Sequence, residues 1–132
     1  VTGQPVTAAD VASVPEKWAA AWASGDMGQL VALYAPAAVY RHPMFPEMVG
    51  REALLAHYEG LAASFRDFNP RVVNVVVDGD RVAAEIVHVA FQQADIETPT
   101  GTLPGTRTVE STAGHFFLVG ADGLIAEEHQ YG

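Results

Sequence analysis

Glu110-Ser111-Thr112-Ala113-Gly114-His115-Phe116-Phe117-Leu118-Val119, the turn Gly120-Ala121-Asp122-Gly123, and Leu124-Ile125-Ala126-Glu127-Glu128-His129-Gln130-Tyr131 read together as a β-hairpin. Side chains of a strand alternate between faces, so Val109, Ala113, His115, Phe117 and Val119 share one side, and His115 points where its apolar neighbours point. The Asp-Gly turn is a strong hairpin signal. Unbroken alternation on the returning strand puts Ile125, Glu127, His129 and Tyr131 on one side. A carboxylate and two imidazoles are thereby expected on one inner wall, where leaving each without a partner costs about 1–3 kcal/mol. The competing reading places His129 and Glu127 in water at the chain end and makes His115 a core histidine with a backbone partner.

Composition narrows the class. At 132 residues and 49% hydrophobic, the chain is expected to be one globular domain spanning 1–132, long enough to bury roughly two-thirds of its unfolded surface. Seven basic against sixteen acidic residues give a net charge of -9, which opposes binding to nucleic acid or to anionic membranes. Without cysteine, disulfides, thiolate nucleophiles and Cys-ligated zinc are excluded. No signal-peptide pattern and no apolar run of about 18 residues is present, so a cytoplasmic location is the expectation.

Residues 1–9 read as a flexible lead. A helix beginning near Thr7 or Asp10 carries the apolar stripe Val11, Val14, Trp18, Ala21 and Trp22, with Pro15 limiting where it can start. Ser24-Gly25-Asp26 stops it and caps a second helix, Met27 to Tyr34. Ala38 to His42 alternates as a short strand halted by Pro43, and the apolar stretch 43–49 reads as a loop that lines or covers something. A third helix runs from Gly50 to about Phe65, burying Leu54, Leu55, Tyr58, Leu61, Ala62 and Phe65, with His57 and Glu59 expected in solvent. Strands 70–77 and 81–91 flank the turn Asp78-Gly79-Asp80. In the second, Val82, Ala84, Ile86, His88 and Ala90 share a face, and the opposite face is also largely apolar. A homodimer packed through that outer face is the expectation. Residues 92–107 form a long Pro-, Gly- and Thr-rich connection of the kind that serves as a lid or binding loop or else is simply disordered.

Three helices followed by an antiparallel meander imply an α+β domain: a cone-shaped curved sheet wrapped around the N-terminal helices, with a central cavity. On Trp22-Ala23-Ser24-Gly25-Asp26-Met27, Leu33-Tyr34-Ala35-Pro36, Val39-Tyr40-Arg41-His42-Pro43, Gly50-Arg51-Glu52-Ala53-Leu54, Asp78-Gly79-Asp80-Arg81-Val82 and Asp122-Gly123-Leu124-Ile125, the chain resembles the nuclear-transport-factor-2-like superfamily. Its SnoaL-like polyketide cyclase branch is the most similar. The resemblance implies sites. Ketosteroid isomerases of the superfamily place a general-base Asp directly before the proline that ends the first strand, where this chain has His42. Their protonated oxyanion-hole Asp falls at His115. SnoaL-like cyclases carry an acid/base Asp on the last strand, where this chain has His129, with Glu127 two residues earlier.

Histidine titrates near pH ~6.5 and exchanges protons at neutrality without a large shift. The expected activity is therefore cofactor-free acid/base catalysis, as in an isomerase, lyase or cyclase. His42 or His129, assisted by Glu127, removes a proton alpha to a carbonyl, and His115 or Tyr58 stabilises the enolate. Trp18, Trp22, Tyr58, Phe45, Met48, Ile86, His88, Phe117 and Tyr131 are the expected substrate contacts, suited to a polyketide- or steroid-like ring compound. The alternatives are a non-catalytic binding domain of the same fold and an epoxide hydrolase or dehydratase. A metal site from His42, His115 and His129 lacks any close-spaced ligand motif, and no cofactor fingerprint is present, so neither metal nor cofactor is expected.

Overall fold

The computed structural model describes residues 6–132, so the first five residues of the expected lead lie outside the described residues. The remainder of that lead is ordered. Thr7 caps α1 (Ala8–Ser24): its hydroxyl accepts the Asp10 N–H at 3.1 Å while the Asp10 carboxylate accepts the Thr7 N–H at 3.1 Å. Two otherwise orphaned donors are satisfied reciprocally, a capping box. Val11, Val14, Trp18, Ala21 and Trp22 are buried as one stripe. Pro15 lies inside this helix rather than in its first turn. Its missing N–H forfeits one bond to the Val11 carbonyl, and burial of the ring offsets that loss.

Gly25 ends α1 at φ 76, a left-handed position that costs glycine little. The Asp26 carboxylate then accepts from the Gly28 and Gln29 N–H groups and caps the short α2 (Met27–Val31). Tyr34, expected in this helix, instead opens β1 (Tyr34–His42). Pro36 restricts only Ala35, so the stop at Val31 comes earlier than the proline requires, and the Leu33 carbonyl instead accepts the Ile125 N–H at 2.9 Å as the chain enters the sheet. The expected loop 43–49 contains β2 (Phe45–Val49), which returns against β1. Pro46 is tolerated because β2 is the edge of the sheet.

The chain continues through α3 (Arg51–Ser64), β3 (Phe65–Arg66), β4 (Arg71–Asp78), β5 (Arg81–Gln92), β6 (Ile96–Thr98), β7 (Gly101–Leu103), β8 (Arg107–Val119) and β9 (Ile125–Tyr131). The main sheet has the order β2-β1-β9-β8-β5-β3, with β4 also on β5. Among the described residues its one parallel pair is β1 with β9. This is the expected α+β class, a curved and unclosed sheet over the N-terminal helices. The β5–β8 ladder runs unbroken from Arg81↔Leu118 to Gln92↔Arg107, and its inner side buries Val82, Ala84, Ile86, Ala113, Phe117 and Val119 against the helices.

The connection 92–107 carries the small β6–β7 hairpin. Buried Gln92 pins it, donating from its amide to the Ala94 and Leu103 carbonyls at 2.9 Å each. On the outer side of the sheet Val73, Val76, Phe116 and Tyr131 remain exposed. Among the described residues, no helix is long and apolar enough to cross a membrane.

Candidate functional site

One irregularity decides what faces the interior. In the β8–β9 pairing Leu118 lies opposite Glu127, but Val119 lies opposite Ile125, so Ala126 is an extra residue. Such a bulge reverses the alternation beyond it. Ile125 and Glu128 are both fully buried, three residues apart. The expected inner set Glu127, His129 and Tyr131 is therefore outside, and Glu128 and Gln130 are inside. Arg41 confirms the outward placement. Its guanidinium donates to Glu47 at 2.7 Å, to Glu127 at 3.0 Å and to His129 Nε2 at 3.0 Å, in an exposed cluster. Tyr131 is half exposed and packs edge-on against Phe116.

Inside, a hydrogen-bonded chain crosses the sheet. The Glu128 carboxylate accepts from the Tyr34 hydroxyl through Oε1 and from His115 Nδ1 at 2.8 Å through Oε2. Glu128 and His115 are both 0% exposed. A carboxylate only accepts, so His115 carries its hydrogen on Nδ1, and its Nε2 is left as an acceptor. That nitrogen meets His88 Nε2 at 3.1 Å. In the neutral network His88 therefore donates from Nε2, and its Nδ1, which has no protein hydrogen bond among the described residues, keeps a lone pair. Trp18 Nε1 donates to the Tyr34 hydroxyl at 3.0 Å, and the Tyr58 hydroxyl lies 3.0 Å from the same oxygen. Burial pushes the Tyr34 and Tyr58 phenols well above their ordinary range, and the nearby Glu128 charge adds to this. Both phenols stay protonated. Burial, reinforced by His115, pulls His88 from 6.5 down to about 4.

A cavity of about 310 Å³ lies beside this chain. Of the expected site residues, His88, Trp18, Trp22, Tyr58, Phe45 and His42 line it. The others do not. His115 sits behind His88, fully buried and sandwiched against Trp18 and Phe117. Ile86 and Phe117 are core, and Met48 is half-buried against that core. His42 lies at the rim, but its Nδ1 accepts the Met44 N–H at 3.0 Å, and its Nε2 faces the Gly132 carbonyl at 3.4 Å. Neither nitrogen is left free to act as a base. His42, His115 and His129 stand in different environments, and no metal-holding group of His, Asp or Glu occurs among the described residues.

Several lining residues were not anticipated. Gln130 takes the Tyr40 hydroxyl hydrogen on Oε1 at 3.0 Å, which leaves its amide nitrogen for the cavity. Tyr34 and Glu128 form the buried end of the network. His57, expected in solvent, is half-buried in the cavity wall. Its position three residues after Leu54 and four before Leu61 is the signal that places it on the inner face of α3. Ile96, Thr98 and Leu103 from the β6–β7 hairpin also contribute to the wall.

The SnoaL-like domain family matches residues 16–128. No curated protein matches the chain. Among solved structures, a putative polyketide cyclase from Xanthomonas campestris pv. campestris is similar at a TM-score of 0.77 and 22% identity, over 95% of this chain and 91% of that one. TsrD from Streptomyces laurentii gives 0.76 and 26%, over 95% and 89%. An LEH-like epoxide hydrolase from M. tuberculosis gives 0.71 and 17%, over 94% and 83%. The first and last likenesses speak for the fold. Because one family's pattern accounts for the chain from α1 into β9, this protein belongs to the SnoaL-like domain family.

Proposed function

We propose that the protein is a cofactor-independent acid/base enzyme acting on an apolar, carbonyl-containing ring compound. The observation that carries this reading is the Glu128–His115–His88 hydrogen-bond chain ending on the cavity wall. His88 Nδ1 takes a proton alpha to the carbonyl. As it does so, His88 Nε2–H passes its hydrogen to His115 Nε2, and the Glu128 carboxylate holds the resulting imidazolium. A histidine with a pKa of about 4 is a weak base by itself. The proton need not rest on His88, because the positive charge moves one ring deeper, next to a carboxylate. The Gln130 amide, on the strand beside His115, donates to the developing enolate oxygen. Isomerisation, ring closure or dehydration can all proceed from that enolate, and the aromatic walls suit a flat bicyclic or tricyclic substrate.

The test is α-deuterium incorporation into cyclic ketones and 1,3-diketones in D2O, followed by NMR. His88→Asn is expected to slow exchange by about 100-fold or more while binding, read from quenching of Trp18 and Trp22, persists. Exchange at the wild-type rate in that variant would refute the reading. A second reading, a binding domain without turnover, draws on the way Glu128, Tyr34 and His115 satisfy one another as a structural core would. It expects binding of the same ketones with no exchange in either protein. We also propose that the outer face, with Val76, Phe116 and Tyr131 exposed beside Asp78 and Arg81, pairs with a second copy, since apolar and opposite-charge groups on one patch are self-complementary.

A further inference from the structure

His57 presents, among the described residues, the one buried side-chain polar atom without a hydrogen-bond partner, its Nε2. Buried polar atoms are nearly always paired, so an exception needs a physical reason. The ring lies among Phe45, Tyr58 and Tyr40, with centroids 4.8, 5.3 and 5.5 Å away, and Phe45, exposed at the rim, is the neighbour that a ligand would displace to reach Nε2. His57 also lines the cavity, as does the exposed Phe45 at the rim. Burial, reinforced by His42, lowers the His57 pKa, so the ring is neutral at pH 7. A neutral imidazole in such a wall pairs with a neutral oxygen function and gains little from a carboxylate.

We propose that His57 is a specificity residue that binds a second oxygen function of the ligand, a hydroxyl or carbonyl remote from the carbonyl held near His88. The ligand class becomes a ring compound with two neutral oxygen groups separated by an apolar body, as in hydroxyketones and extended diketones. This rests on the cavity being the ligand site proposed above, and it adds a second anchoring point on a different element, α3. Because no protein group pairs with that nitrogen among the described residues, a ligand oxygen that reaches it adds affinity, by about tenfold or more.

The experiment is titration of the intact protein with 1-tetralone and its 5-, 6- and 7-hydroxy derivatives, read by tryptophan fluorescence. At least one hydroxy isomer is expected to bind about tenfold more tightly than 1-tetralone. His57→Phe is expected to bring that ratio to within about twofold, while His57→Gln, which keeps a hydrogen-bonding end, restores part of it. His57→Phe should also unfold at an unchanged or higher temperature, since it removes an unpaired buried polar atom, so a lost preference cannot be ascribed to misfolding. Equal binding of all isomers, no binding of any, or a preference that survives His57→Phe would overturn the proposal. The two readings fail separately. His88→Asn abolishes exchange but keeps the isomer preference if His57 acts as stated, and a preference without any exchange in wild type removes the catalytic reading alone.

Discussion

Glu127 and Glu128 are consecutive on β9, and each lies beside a histidine, but the two pairs are physically different. Glu128 and His115 meet at 2.8 Å with both side chains 0% exposed, whereas Glu127 and His129 stand 3.5 Å apart with both 37% exposed. Inside, no water competes for either group, and each is held by further bonds to Tyr34 and His88. Outside, solvent and salt screen the attraction and either side chain can move away. Proximity of a carboxylate and an imidazole therefore says little by itself. The environment decides whether the pair fixes a proton network or merely decorates a surface.

The largest effect should come from breaking the inner pair. Glu128→Ala leaves His115 and Tyr34 with unmet donors in a dry core and is expected to cost about 3–5 kcal/mol, measured by urea unfolding. Glu127→Ala, one residue away, should cost less than roughly a fifth of that. Equal losses would mean that the bulge at Ala126 does not set the faces as described. Glu128→Gln, which keeps the shape and one acceptor, should fall between the two.

The same bulge explains what could be read from the residues alone and what could not. Alternation along 109–119 correctly turned His115 inward, because that strand pairs with β5 without interruption. The stripe on α1 and the Asp-Gly turns were equally legible, being local chemistry. On β9 the alternation was correct at Ile125 and wrong from Glu127 onward, since one extra residue exchanges the faces and nothing in Ala126 announces it. Reading Pro36 as the end of α2 carries the helix to Tyr34, but it stops at Val31 and Tyr34 opens β1, earlier than the proline's restriction on Ala35 requires. His57 departs from expectation for a different reason. Helical spacing put it with Leu54 and Leu61, but its polarity argued for water, and only a cavity reconciles the two.

A smaller effect separates the regions by pH. Unfolded, His88 takes a proton as pH falls through 6.5, whereas the folded protein resists until about 4. Over that window the unfolded chain binds more protons, so stability falls as pH falls. The penalty is absent above 6.5 and complete below about 4. Its size is at most about 3 kcal/mol. His57, also held down by burial, acts with the same sign. Urea midpoints collected from pH 7 to 4 should fall less steeply in His88→Asn than in wild type, and identical slopes would mean that His88 is hydrated in the folded state.

The smallest effect belongs to the outer cluster, where Arg41 bridges Glu47 on β2 and Glu127 and His129 on β9. Three contacts to one guanidinium look substantial on paper, and the bond to Glu47 leads in holding the Arg41 pKa above its ordinary value. All of the partners are wet, however, and fixing a long side chain in one geometry costs rotamer entropy that the screened attraction barely offsets. Arg41→Ala should therefore move the urea midpoint only slightly at low salt and not measurably at 1 M NaCl, where the screening length is about 3 Å. The inner pair gives the contrast, since water and ions do not reach it. The Glu128→Ala loss should be nearly the same at both salt concentrations, and a loss that shrank in salt would place that carboxylate within reach of solvent.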